Sequence, residues 1–258
     1  MTSATPIRKN HRWLRLAGCI AALVPPLLFN GLPAAVAKPP SVECANVRLT
    51  GILPRPHDKT RATQQTITLD ANCHVVAGSV QEIPISAITS LPSTTATRRL
   101  PDVTNQGTND LVKQVGTLAT FTNQIHSKNE VWDCCGVMLT GLYSSDAWSG
   151  DWTRITSYNV QGSTAWHTES NGFPGWYLVK KSSTGGCTLP CSSANFHQHA
   201  EWGYQGFFDT TGSAFYNILD NYQMLNGNSS SSCTFNLYAR RWFSAGTPLS
   251  WQWVKTCH

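Results

Sequence analysis

Phe196-His197-Gln198-His199-Ala200-Glu201-Trp202-Gly203-Tyr204 is the stretch on which the fold turns. Read with a period of two, it separates into an apolar set (Phe196, Ala200, Trp202, Tyr204) and a polar set (His197, His199, Glu201). Successive side chains of a β-strand point to opposite faces. The stretch therefore reads as a half-buried strand with three titratable groups on its outer face.

Neighbouring segments follow the same rule. Trp152 to Val160 alternates, Val131 to Tyr143 is apolar with Gly141 inside it, and Gly175 to Lys180 gives another candidate strand. Cys233-Thr234-Phe235-Asn236-Leu237-Tyr238 and Trp251-Gln252-Trp253-Val254 complete the set. Short strands separated by Gly, Asn and Ser clusters predict an all-β, disulfide-bonded domain, a sandwich or jelly-roll-like pair of sheets. One segment departs from alternation. From Ser213 to Gly227 the apolar residues Phe215, Ile218, Leu219, Tyr222 and Leu225 recur at helical spacing, with Ser213 placed to cap the start and Gly227 just past the end. This spacing predicts one short amphipathic helix over an end of the sheets.

Composition shifts divide the chain into four parts. Residues 111–258 hold nine of the ten tryptophans and form the aromatic-rich β domain. Residues 84–110 are rich in Pro, Ser, Thr and Asn without apolar periodicity, and read as an exposed linker. In 38–83, Gln65 to Leu69 and Cys73 to Gly78 flank a turn at Asp70-Ala71-Asn72. They predict a β-hairpin, too small to stand alone and so pinned by a disulfide or docked on the larger part. Residues 1–37 read as a signal peptide: Arg8, Lys9, Arg12 and Arg15 precede an apolar run from Leu16 to Phe29, and Ala35-Val36-Ala37 supplies small residues for cleavage. That run is broken by Pro25-Pro26 and is shorter than the roughly 20 residues a membrane helix needs. No stable membrane span is expected after cleavage, and the expected location is extracellular.

Export changes the charge argument. The chain has 19 basic and 14 acidic residues, and the leader holds four of the basic ones and no acidic ones, leaving 15 against 14. A near-neutral chain lacks the concentrated positive field that nucleic acid requires, so no nucleic-acid partner is expected. Cys19 leaves with the leader, and Cys44, Cys73, Cys134, Cys135, Cys187, Cys191, Cys233 and Cys257 remain. An even number in an exported chain reads as up to four disulfides. Sequence locality suggests Cys44–Cys73 and Cys187–Cys191, with Cys134 and Cys135 going to Cys233 and Cys257 in some order.

Catalytic signatures are weak. No G-x-S-x-G elbow and no glycine-rich phosphate loop occurs. His197 and His199 at i and i+2 can converge on one metal, which imidazole nitrogen suits. Glu201 starts about 13 Å from His197 along a straight strand and is too far to join them. A third ligand must come from elsewhere, with His167 the expected one and His126 and Glu169 of suitable type. The plainer alternative is a strand whose outer face is polar, with no cofactor; zinc or another divalent ion is the alternative to that. Glu169 and Glu201, each close to a Trp, are candidates for a glycosidic carboxylate pair. Trp148 lies in Ser144-Ser145-Asp146-Ala147-Trp148-Ser149-Gly150-Asp151-Trp152 among turn-forming residues. It reads as a loop indole that stacks on a sugar while Asp146 and Asp151 bond hydroxyls, against the alternative of a core residue. The leading expectation is a secreted binding protein for carbohydrate or cell-envelope material. An extracellular hydrolase, metal-assisted or glycosidic, and a purely structural secreted protein are the alternatives.

Overall fold

Alternation prevails almost everywhere. The computed structural model describes residues 44–70, 74–88, 97–108, 120–169, 172–207, 209–241 and 250–258, all within the unit Pro39–His258. In chain order the strands are β1 (Cys44–Pro54), β2 (Arg61–Leu69), β3 (Val75–Ala77), β4 (Gln81–Pro84), β5 (Thr97–Thr108), β6 (Phe121–Asp133) and β7 (Met138–Gly150). They continue with β8 (Ile155–His167), β9 (Gly175–Gly186), β10 (Ser193–Gln205), β11 (Phe215–Asn226), β12 (Ser231–Arg241) and β13 (Trp251–Cys257). One sheet runs β1-β12-β11-β10-β9; the other runs β3-β2-β13-β6-β7-β8-β5, with β4 also beside β2. Every pairing is antiparallel.

The two sheets pack face to face, each strand sending alternate side chains inward. Trp148, Trp202, Trp253, Phe196 and Phe235 are the largest fully buried apolar groups, and burying a large apolar side chain contributes about 1.5–3 kcal/mol. The space between the sheets is also unusually polar. Asn217 Nδ2 donates to Thr140 Oγ1 at 2.8 Å. Asn221 Nδ2 donates to Ser127 Oγ, the Leu142 carbonyl and Ser144 Oγ at 3.2–3.3 Å. Trp253 Nε1 donates to Asn129 Oδ1 at 2.6 Å, and Asn129 Nδ2 donates to the Asp220 carbonyl at 3.1 Å. These bonds give the buried amide nitrogens the partners that burial demands.

The expected helix over Ser213–Gly227 is instead strand β11. Its inner positions are Phe215, Asn217, Leu219, Asn221, Gln223 and Leu225, so three amides interrupt the apolar face and erase the period-two signal. The surviving apolar residues then mimic a helical stripe. The expected linker also contains a strand: β5 pairs with β8 along the sheet edge, with a register shift between Leu100 and Val103 that spans Pro101. Backbone pairing at an edge needs no apolar periodicity, and Pro is accommodated there at irregularities. Of the 38–83 segment, β2 and β3 do pair as a hairpin. The hairpin docks on the larger part, β2 pairing also with β13, while β1 joins the other sheet beside β12.

Cys187–Cys191 pair as expected, closing the β9–β10 connection. Cys233 and Cys257 pair with each other, Cα atoms 6.0 Å apart and both side chains buried between the sheets. The expected links from Cys134 and Cys135 are therefore incorrect: these two sit exposed at the tip of the β6–β7 turn with their Sγ atoms 3.2 Å apart. Hairpin-tip side chains outside the sandwich cannot reach sulfurs buried within it. Cys73 of the expected Cys44–Cys73 pair, and the cleavage after Ala37, lie outside the described residues.

Candidate functional site

On β10, His197, His199 and Glu201 share the outer, half-exposed face, while Phe196, Gln198, Ala200 and Trp202 are buried on the other. Register brings partners from both sides. His197 lies opposite Tyr222 of β11 and Thr184 of β9; His199 lies opposite Asp220 and Ser182; Glu201 lies opposite Ile218 and Lys180.

The contacts form a chain. His197 Nε2 lies 2.7 Å and His199 Nδ1 lies 2.8 Å from the same Asp220 Oδ1. The other His199 nitrogen, Nε2, lies 2.8 Å from Glu201 Oε1. Tyr216 donates its hydroxyl proton to Glu201 Oε2, and Lys180 Nζ is 3.7 Å from Oε1. The His197 ring stacks on Tyr222, centroids 4.2 Å apart and planes 9° from parallel. His197, His199, Asp220 and Glu201 are 17–32 % exposed, closed enough for fixed geometry and open enough for a ligand. The Tyr216 hydrogen bond, helped by His199 and Lys180, lowers the Glu201 pKa. Burial, reinforced by Glu201, raises that of Tyr216. Burial and the nearby Asp220 carboxylate raise that of Tyr222.

Asp220 is the residue that sequence reasoning missed. It lies in the segment misread as a helix, and the signal that identifies it is the alternation of Tyr216, Ile218, Asp220, Tyr222 and Met224 along the outer face of β11. The expected third ligand, His167, instead ends β8 of the other sheet. It does not belong to the cluster, because a strand at i and i+2 finds its third ligand directly across the ladder.

The other candidates disperse. Glu169 accepts from the Tyr204 hydroxyl and, at 3.2 Å, from the Phe207 amide. Tyr204 is buried on the inner side of β10, whereas Glu201 is on the outer side, so Glu169 and Glu201 do not face each other as a catalytic pair. Trp148 is no loop indole: it is 1 % exposed within β7, its Nε1 donating to the Asn226 carbonyl at 3.2 Å. The alternation of β7 draws it inward, and the turn residues around it are strand residues. Asp146 is fully buried on the same inner face, and burial lifts its pKa to about 8. The side-chain amide of Gln223 meets both carboxyl oxygens of Asp146. Asp151 is engaged in its own turn, accepting from the Thr153 and Arg154 amides and the Thr153 hydroxyl; these bonds hold its pKa down at about 2. The exposed indole of this region is Trp152, at the β7–β8 turn.

A separate cavity of about 440 Å³ is lined by Arg55, Lys59, Arg61, Asn123, His126 and His258 among others. Arg55 donates to Asn123 Oδ1 at 2.8 Å, and the His126 and His258 rings stack at 5.0 Å. Burial, with the neighbouring cations, lowers the pKa of both imidazoles, that of His258 to about 4. Among the described residues no helix is long and apolar enough to cross a membrane. No family model, curated protein or solved structure matches the chain.

Proposed function

We propose that the protein is exported and acts as a binding protein, the outer face of the five-stranded sheet recognising carbohydrate or another polyhydroxylated component of a cell envelope. The observation that carries this reading is the mutual hydrogen bonding of His197, His199, Glu201, Asp220 and Tyr216 on one open face. Side chains already held in place lose little rotamer entropy when a ligand arrives.

The chemistry suits a sugar. Asp220 and Glu201 accept from hydroxyls, Lys180 donates, and the partly exposed rings of Tyr177 and Tyr222 offer apolar surface with a polar edge. The buried tryptophans take no part. Export is supported by the basic-apolar leader and by disulfides at Cys187–Cys191 and Cys233–Cys257, which persist in oxidising compartments.

The test is retention of the purified protein on insoluble polysaccharides, including peptidoglycan, chitin and cellulose. Tyr222→Ala is expected to weaken retention at least tenfold without a matching loss of Tm. Trp152→Ala, at the exposed turn, is expected to leave it unchanged. A parent protein retained on none of these materials, or a Tyr222→Ala variant retained as well as the parent, overturns the reading.

A further inference from the structure

We infer that His197, His199 and Asp220 form a binding site for one divalent transition-metal ion of the zinc–copper class. Three features of the cluster converge on this. First, one ligand atom from each residue lies within 4.8 Å of the other two. Second, both imidazole nitrogens aim at a single carboxylate oxygen, Asp220 Oδ1. The two nitrogens and this oxygen thus already lie together, as donors to one ion must.

Third, the surrounding shell matches what metal-binding histidines need. A ligating imidazole usually donates its remaining N–H to a carboxylate, which fixes the ring and makes the ligating nitrogen more basic. His199 turns Nδ1 to the focus and Nε2 to Glu201 at 2.8 Å. Glu201 is itself held by Tyr216 and Lys180. The backbone of Asp220 is anchored from beneath by Asn129, whose Nδ2 donates to its carbonyl. On His197, the parallel Tyr222 ring limits rotation.

The spacing is close to what is needed. With metal–ligand distances of about 2.0–2.1 Å, tetrahedral neighbours stand about 3.3 Å apart. The present 2.7 and 2.8 Å contacts to Oδ1 then open by about half an ångström, within the reach of small side-chain rotations. Two imidazoles and one carboxylate suit zinc or copper better than calcium or magnesium, which favour oxygen ligands. Three protein ligands leave one position of a tetrahedral site open. The site rests on the geometry of the face and not on the carbohydrate reading, because the metal is tested alone.

Isothermal titration of the folded protein with Zn²⁺ is expected to give one ion per chain. His197→Ala and Asp220→Asn each weaken binding at least a hundredfold, while Glu201→Gln, which touches only the outer shell, weakens it about 10–100-fold. A His126→Ala/His258→Ala double variant keeps the parent affinity, separating this site from the other histidine pair. Electron paramagnetic resonance of the Cu²⁺-loaded parent is expected to show coupling to two nitrogens and needs no variant. No stoichiometric Zn²⁺ binding, undiminished binding in His197→Ala, or a copper spectrum without two-nitrogen coupling overturns the assignment. Polysaccharide retention does not enter any of these readouts.

Discussion

Asp146 holds its proton at neutral pH. Burial between the sheets raises its pKa from 3.8 to about 8, so between these values the folded chain keeps a proton that the unfolded chain releases. Stability contributed by the protonated group is therefore present at low pH and lost as pH rises toward 8. His258 acts with the opposite sign: its pKa falls from 6.5 to about 4, so its contribution is present above 6.5 and lost as the pH drops through that range. The two oppose each other below pH 6.5, and the Asp146 effect stands alone from 6.5 to 8. Melting curves are expected to show Tm falling by roughly 5 °C across that window, and Asp146→Asn is expected to flatten the decline. An unchanged slope in the variant places the titration elsewhere. None of this was legible from residue type, since Asp146 lies among serines that read as a turn; only the alternation of β7 carries it inside.

At the scale of single strands, β10 and β11 show what a sequence pattern reveals and what it conceals. The inner face of β10 is apolar apart from Gln198, so its period of two stands out, and the common face of His197, His199 and Glu201 is readable directly. On β11 the inner face carries Asn217, Asn221 and Gln223, whose partners lie on the opposite sheet. An amide placed to bond across a sandwich looks like a surface residue in the sequence. Half of the candidate site was thus visible and half hidden, because Asp220 belongs to the hidden strand and ladder register sets its proximity to His199. Asn221→Ala tests this account of β11. It removes the donor shared by Ser127, Ser144 and the Leu142 carbonyl, and leaving such buried groups unmet costs about 1–3 kcal/mol. Urea denaturation is expected to show that loss, whereas a cost near zero makes Asn221 a passive filler. Gly51 on β1 was equally unreadable: a Cβ there collides with the Nζ of Lys255, a fully buried lysine on β13.

For the whole molecule, the Cys233–Cys257 bond joins β12 of one sheet to β13 of the other. Its 24-residue separation corresponds to about 3–4 kcal/mol of chain-entropy stabilisation, and the 4-residue Cys187–Cys191 loop to about 2 kcal/mol. Cys233→Ala/Cys257→Ala is expected to lower Tm more than Cys187→Ala/Cys191→Ala, by roughly 3–6 °C. Equal losses contradict the loop-length argument. Peptide mapping after alkylation of the native protein is expected to find label on Cys134 and Cys135 and none on these four. Sequence locality foresaw the Cys187–Cys191 bridge but not Cys233–Cys257, because the latter pairing depends on which strands face each other across the sandwich.

Strand β13 lies between β2 and β6 rather than at a sheet edge. Closing the eight-stranded sheet therefore requires β13 to seat between β2 and β6. Until β13 is seated, β2 has no neighbour linking it to β6, and Cys233 lacks the sulfur to which it bonds. Such long-range closure is slow to nucleate. Seating β13 therefore joins two parts of the eight-stranded sheet and, through the Cys233–Cys257 bond, ties that sheet to the other.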